Sequence, residues 1–167
     1  MTHSGTFTVS RTADEVYDVL ADPQRFAPLL PDYEGVELHD ATHFRLRTVL
    51  AIGKINGHAN LEMTLYDCVV AGQVKYRGEG VIAGSNITFG MEFVLTPTAG
   101  LTEVRWVGEV SVEGMLALMA REIIENKGRA DFERMAQRLQ QRLADESDAS
   151  PISADTPGPS SVPSTNQ

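Results

Sequence analysis

Between residues 33 and 113 apolar and polar side chains alternate, the period of strands with one buried face. Phe44, Leu46, Thr48, Leu50 and Ile52 alternate with Arg45 and Arg47, and Ala59, Leu61, Met63 and Leu65 with Asn60, Glu62 and Thr64. Ile87, Phe89, Met91, Phe93 and Leu95 form another face. Val104, Trp106, Gly108, Val110 and Val112 form a further one, against Glu103, Arg105, Glu109 and Glu113. Val74 and Tyr76 begin one more before Gly78, Gly80 and Gly84 interrupt it; glycine inside a strand marks a bulge or a bend. The segments HDATH at 39–43 and GKING at 53–57 read as turns. One apolar face per strand predicts an antiparallel sheet of about seven strands, covered on one side.

The flanks carry the helical period. Phe7 and Val9 share a face of a first strand. Thr12 with Glu15 then forms a capping box for a short helix with Val16, Val19 and Leu20 inward, ended by Asp22-Pro23. Pro23, Pro28 and Pro31 leave room for one more helical turn, on which Phe26, Leu29 and Leu30 either plug the core or form the lip of an opening. In residues 115–146, which contain no proline, Leu116, Met119, Ile123, Ile124, Phe132, Met135, Leu139 and Leu143 recur at the steps of a buried helical stripe. If continuous, that helix spans about 48 Å. Gly128 within it costs about 1 kcal/mol against alanine. Met115 and Met119 in its first half either fill gaps in the core or close over a cavity. From residue 147 to 167 the chain is rich in Ser, Pro, Thr and Asp, which predicts a disordered tail after a domain of residues 1–146.

A sheet with one apolar face needs a cover, and only the C-terminal helix is long enough. A curved sheet cannot seat a straight helix along its whole length without a gap, and the glycines at 78, 80, 84, 90 and 108 favour curvature. Two interiors are therefore open: a solid core, or an apolar hole lined by Leu61, Met63, Phe89, Met91, Phe93, Trp106 and Met119.

Charge narrows the functions. The 167 residues carry a formal net charge of −9, which excludes nucleic acid and broad adsorption to anionic lipid as partners. Lys127, Arg134, Arg138 and Arg142 fall near one line of the long helix, either a solvated face or a docking stripe for an acidic partner. Cys68 stands alone in a predicted strand and reads as a small buried hydrophobe. His39 and His43 flank a turn without the spacing of a metal site. Asp67 continues the face of Leu61, Met63 and Leu65 and either points inward or ends the strand in water. No nucleophile elbow, phosphate loop or dinucleotide fingerprint occurs, so no catalytic residue, metal or cofactor is assigned and a non-catalytic role is expected. Neither a signal peptide nor a run of about 20 apolar residues is present, and the expected location is cytoplasmic.

Strand, short double helix, six strands and long terminal helix: this order resembles the α+β helix-grip fold of the START-like (SRPBCC) superfamily. GTFTV at 5–9, DEVYDVLADPQRFAPLLP at 14–31, RGEGVIAG at 77–84 and VEGMLALMAREIIEN at 112–126 are similar to the carbon monoxide dehydrogenase CoxG family. Relatives often show a Cys-hydrophobic-Pro-Gly run where this chain has Leu29-Leu30-Pro31-Asp32. The resemblance implies a curved sheet gripping the long helix over a cavity for an apolar small molecule, such as a lipid or quinone. It also implies a role beside molybdenum-containing dehydrogenase subunits. The expected ligand-binding residues are Phe26, Leu29, Leu30, Leu46, Thr48, Leu61, Met63 and Tyr76, with Phe89, Met91, Phe93, Trp106, Met115, Met119 and Ile123. The rival readings are a polyketide cyclase or dehydrase of the same superfamily, and an assembly or docking factor without ligand.

Overall fold

The computed structural model describes residues 1–148. Strand β1 (Thr2–Val9) leads into α1 (Ala13–Leu20) and α2 (Pro23–Phe26), which continues as a 3-10 turn over Ala27–Leu29. Strands β2 (Tyr33–Leu38), β3 (His43–Ile52), β4 (Ile55–Val69), β5 (Gln73–Ile82), β6 (Ser85–Thr98) and β7 (Leu101–Glu113) follow, and then α3 (Met115–Met119) and α4 (Arg121–Asp148). The capping box forms as expected: the Thr12 hydroxyl accepts from the Glu15 amide at 3.2 Å, and the Glu15 carboxylate accepts from the Thr12 amide at 3.1 Å. Asp22 caps α2 through the Gln24 amide.

The seven strands make one antiparallel sheet in the order β1-β7-β6-β5-β4-β3-β2. Chain neighbours pair through two-residue turns at Gly53-Lys54, Ala83-Gly84 and Ala99-Gly100, and β1 closes the far edge against β7. Helices and sheet enclose two apolar clusters. The larger one joins α1, α2 and the second half of α4 to the sheet through Val16, Leu20, Phe26, Tyr76, Phe93, Phe132, Met135 and Leu139. The smaller one lies under α3 and the start of α4 and holds Leu50, Ile52, Ala59, Ile82, Ile87, Leu116 and Ile124.

Two expectations are corrected. The terminal helix is not continuous. Ala120, at φ −136° and ψ 24°, leaves helical geometry; its amide closes α3 on Leu116, and its carbonyl opens α4 on Ile124. In place of a continuous stripe, Leu116 and Ile124 turn inward while Met115, Leu118, Met119 and Ile123 stay 65%, 86%, 77% and 48% exposed. Cys68 is exposed, not buried: it continues the outward face of Asn60, Glu62 and Thr64 near the end of β4, where the pairing with β5 shifts register between Tyr66 and Val69. Of the two alternatives for Asp67 the structure takes the second: it sits in this irregularity at φ +47°, exposed to solvent.

At Gly128 a Cβ would lie 2.8 Å from the Met1 sulfur, a contact that the flexible Met1 side chain can relieve by moving aside. The expected tail lies, from residue 149 on, outside the described residues; Ser147 and Asp148 are the last residues of α4. Among the described residues no helix is long and apolar enough to cross a membrane.

Candidate functional site

Between the two clusters the helical layer stands off the sheet and leaves a cavity of about 170 Å³ that is partly open to solvent. Its floor is the inward face of the sheet: Leu46, Thr48, Leu50 and Ile52 from β3, Leu61 from β4, Ile82 from β5, Ile87 and Phe89 from β6, Val110 and Val112 from β7. Its roof is Ile124, Phe132 and Met135 of α4, and Leu30, Pro31 and Asp32 close one side. Strand period explains the floor, since each of these strands sends alternate residues to the concave side. One close approach shapes the roof. A Cβ at position 108 would fall 2.3 Å from the Phe132 ring, so only glycine lets that ring settle on β7. Phe132 is held there by Phe89, with ring centroids 5.7 Å apart, and by Trp106 at 6.1 Å.

Of the expected ligand-binding residues, Leu30, Leu46, Thr48, Leu61 and Phe89 line the cavity. The others do not. Phe26 stacks on Tyr76 at 4.7 Å and meets Phe93 edge-on at 5.5 Å, so it plugs the core beneath the two short helices, with Leu29 beside it. Tyr76 is occupied as well: its hydroxyl donates to the Leu20 carbonyl at 2.6 Å, and burial drives its pKa far above the ordinary tyrosine value. Met63, Met91 and Trp106 belong to the same packed cluster. Met115, Met119 and Ile123 face outward because of the break at Ala120.

Most residues missed at the cavity lie on faces the alternation already identified; Ile82 lies beyond the glycines that interrupt the pattern of β5, and Val49 on the other face of β3. Leu50, Ile52, Ile87, Val110 and Val112 sit nearer the β3–β4 and β5–β6 turns than the residues expected there. Alternation tells which face a residue joins, not where along the strand the cover lifts away. Ile124, Phe132 and Met135 carried the helical period.

Charge at the cavity comes from a cluster that the sequence pattern did not single out. Lys127 Nζ lies 2.9 Å from Asp32 Oδ2 and 2.8 Å from Asp131 Oδ2, and all three residues line the cavity. Burial lowers the pKa of this ammonium, but the hydrogen bonds and charges of Asp131 and Asp32 outweigh it, and the net shift is upward. Lys127 is therefore cationic at neutral pH and unfit as a base or amine nucleophile.

The suspected basic stripe of α4 is partly engaged with the chain's own groups. Lys127 holds its two aspartates, and Arg138 donates to the Leu30 carbonyl at 3.2 Å. Histidines pair with carboxylates on the surface, His39 with Glu62, His43 with Asp40 and His58 with Glu34. No group of three potential metal ligands forms among the described residues.

A sequence model of the carbon monoxide dehydrogenase CoxG family matches residues 5–144. The chain belongs to this family. Solved structures agree on the architecture of the CoxG-family chain. A conserved protein from Geobacillus kaustophilus superposes with a TM-score of 0.75 at 16% identity, covering 87% of this chain and 97% of that one. The Zhui aromatase/cyclase from Streptomyces sp. R1128 gives 0.60 at 21% identity, over 89% and 93% of the two chains. A START superfamily protein from Mycobacterium smegmatis gives 0.58 at 14%, over 85% and 96%. At these identities the likeness establishes the fold, which is START-like. Among curated proteins none matches.

Proposed function

We propose that this CoxG-family protein is a non-catalytic carrier. Residues 1–146 would hold an apolar small molecule, lipid- or quinone-like, beneath α4, in support of a molybdenum-containing, carbon monoxide dehydrogenase-type enzyme in the cytoplasm. The observation that supports the reading is the cavity of about 170 Å³ walled by aliphatic and aromatic side chains. An apolar cavity of roughly 150 Å³ stays dry and takes up benzene. The space therefore suits one ring or a short chain, and a longer tail would extend through the opening.

Two features favour a carrier over its rivals. A cyclase needs free acid and base groups converging on the substrate, whereas the ionisable groups here are paired with one another and the lysine is held protonated. A pure docking role through the basic stripe is disfavoured because Lys127 and Arg138 are spent on internal contacts.

Native mass spectrometry with organic extraction tests the proposal, with 1-octanol as added probe. The purified protein is expected to carry or take up an apolar molecule. Val110→Phe, which puts a ring into the cavity, should weaken uptake at least about tenfold while the circular dichroism spectrum is retained. Wild-type protein that neither carries an apolar molecule nor takes up octanol would end the carrier reading.

A further inference from the structure

The polar side of the cavity is built from three charged side chains and one hydroxyl. Lys127 of α4 reaches Asp32 across the cleft and Asp131 one turn along its own helix. Thr48 lines the same cavity, and every other lining residue is apolar or glycine. The side chains of Lys127, Asp32 and Asp131 are 24%, 35% and 27% exposed, so water screens them only in part. One ammonium against two carboxylates leaves a local charge of −1. Asp32 takes part from a backbone at φ +60°, a conformation that few residues other than glycine, asparagine and aspartate adopt.

We propose that Asp32 and Asp131 overcompensate Lys127 and thereby make the cavity select uncharged apolar ligands over anionic ones. The proposal rests on the carrier reading above. A lone lysine at this place would draw in a carboxylate or phosphate head. Here the ammonium already holds two carboxylates, and a third anion meets net negative charge. A neutral head fares differently. An ammonium has three N–H donors; two are engaged, and the third, with the Thr48 hydroxyl, is left for a carbonyl or hydroxyl oxygen. The ligand class is an apolar ring or short chain that ends in a carbonyl or hydroxyl group.

The test is a pair of probes matched in chain length, 1-octanol and octanoate, titrated calorimetrically near neutral pH, where octanoate is ionised. The readout is the ratio of their dissociation constants, which separates head-group selection from loss of the cavity. Asp131→Asn and Asp32→Asn keep shape and hydrogen-bonding capacity, and asparagine tolerates the left-handed backbone at position 32. Each substitution is expected to lower the preference for octanol at least about fivefold. Glu103→Gln, exposed on β7 and outside the cavity lining, removes the same unit of charge and should leave the ratio within about twofold.

An unchanged ratio in both asparagine variants overturns the proposal while leaving the carrier reading intact. An equal shift in Glu103→Gln also overturns it, because selection would then follow the overall charge of −9. Wild-type protein that binds neither probe removes the carrier reading itself, and the selectivity with it.

Discussion

Ala99 and Gly100 form the turn between β6 and β7 with φ of +46° and +82°. Two positive values in a two-residue hairpin suit asparagine-glycine, whereas a non-glycine Cβ in this region costs roughly 1 kcal/mol or more. Ala99→Asn is therefore expected to stabilise the protein by about 0.5–1 kcal/mol, and thermal unfolding should move up by about 1–3 °C. A melting temperature equal to or below wild type would count against that strain. At the same scale the alternation was accurate about faces: Phe44, Leu46, Met63, Met91 and Phe93 are all buried. Cys68 also follows the alternation, on the outward face of Asn60, Glu62 and Thr64, and only its residue type had suggested burial. Asp67 stayed undecided between inside and solvent, because a register shift changes which face a residue joins and no local pattern announces one.

At the scale of elements, α3 depends on one hydrogen bond from elsewhere. Gly114 supplies no side-chain cap, and the Leu116 amide instead donates to the buried Ser85 hydroxyl at 3.0 Å, pinning the helix to the start of β6. Ser85→Ala leaves that amide without its partner and should cost about 1–2 kcal/mol. Faster hydrogen exchange at Leu116 together with a lower melting temperature is the expected result; unchanged exchange would mean the cap does not hold α3. The capping box of α1 was readable because its partners are three residues apart. The break at Ala120 was not, because Ser85 and Leu116 lie 31 residues apart and helix propensity alone favours continuing through alanine.

At the scale of the molecule, Lys127 fastens α4 to the turn before β2 across a separation of 95 residues. Its pKa is raised in the folded state, so folding retains a proton that the unfolded chain releases. The stabilisation is then fully present below the ordinary lysine value of about 10.4 and fades as pH rises through the higher folded value. For a partly exposed cluster it amounts to about 1 kcal/mol or less. Lys127→Met should accordingly flatten the alkaline limb of a stability-against-pH curve measured by urea unfolding. Superimposable limbs for variant and wild type would show that the lysine contributes nothing to it.

The sequence alone determined the strands and their inward faces, the capped short helix and the need for a helical cover, because alternation, capping and turn chemistry act over a few neighbouring residues; the family showed in its motifs over residues 5–144. Tertiary structure alone decided where the cover lifts off the sheet, which residues wall the resulting space, and which charges gather beside it. Those outcomes depend on contacts such as Phe132 on Gly108 and Lys127 on Asp32. Such contacts join residues far apart in the chain, and they depend on how the curved sheet and the broken helix are set against each other.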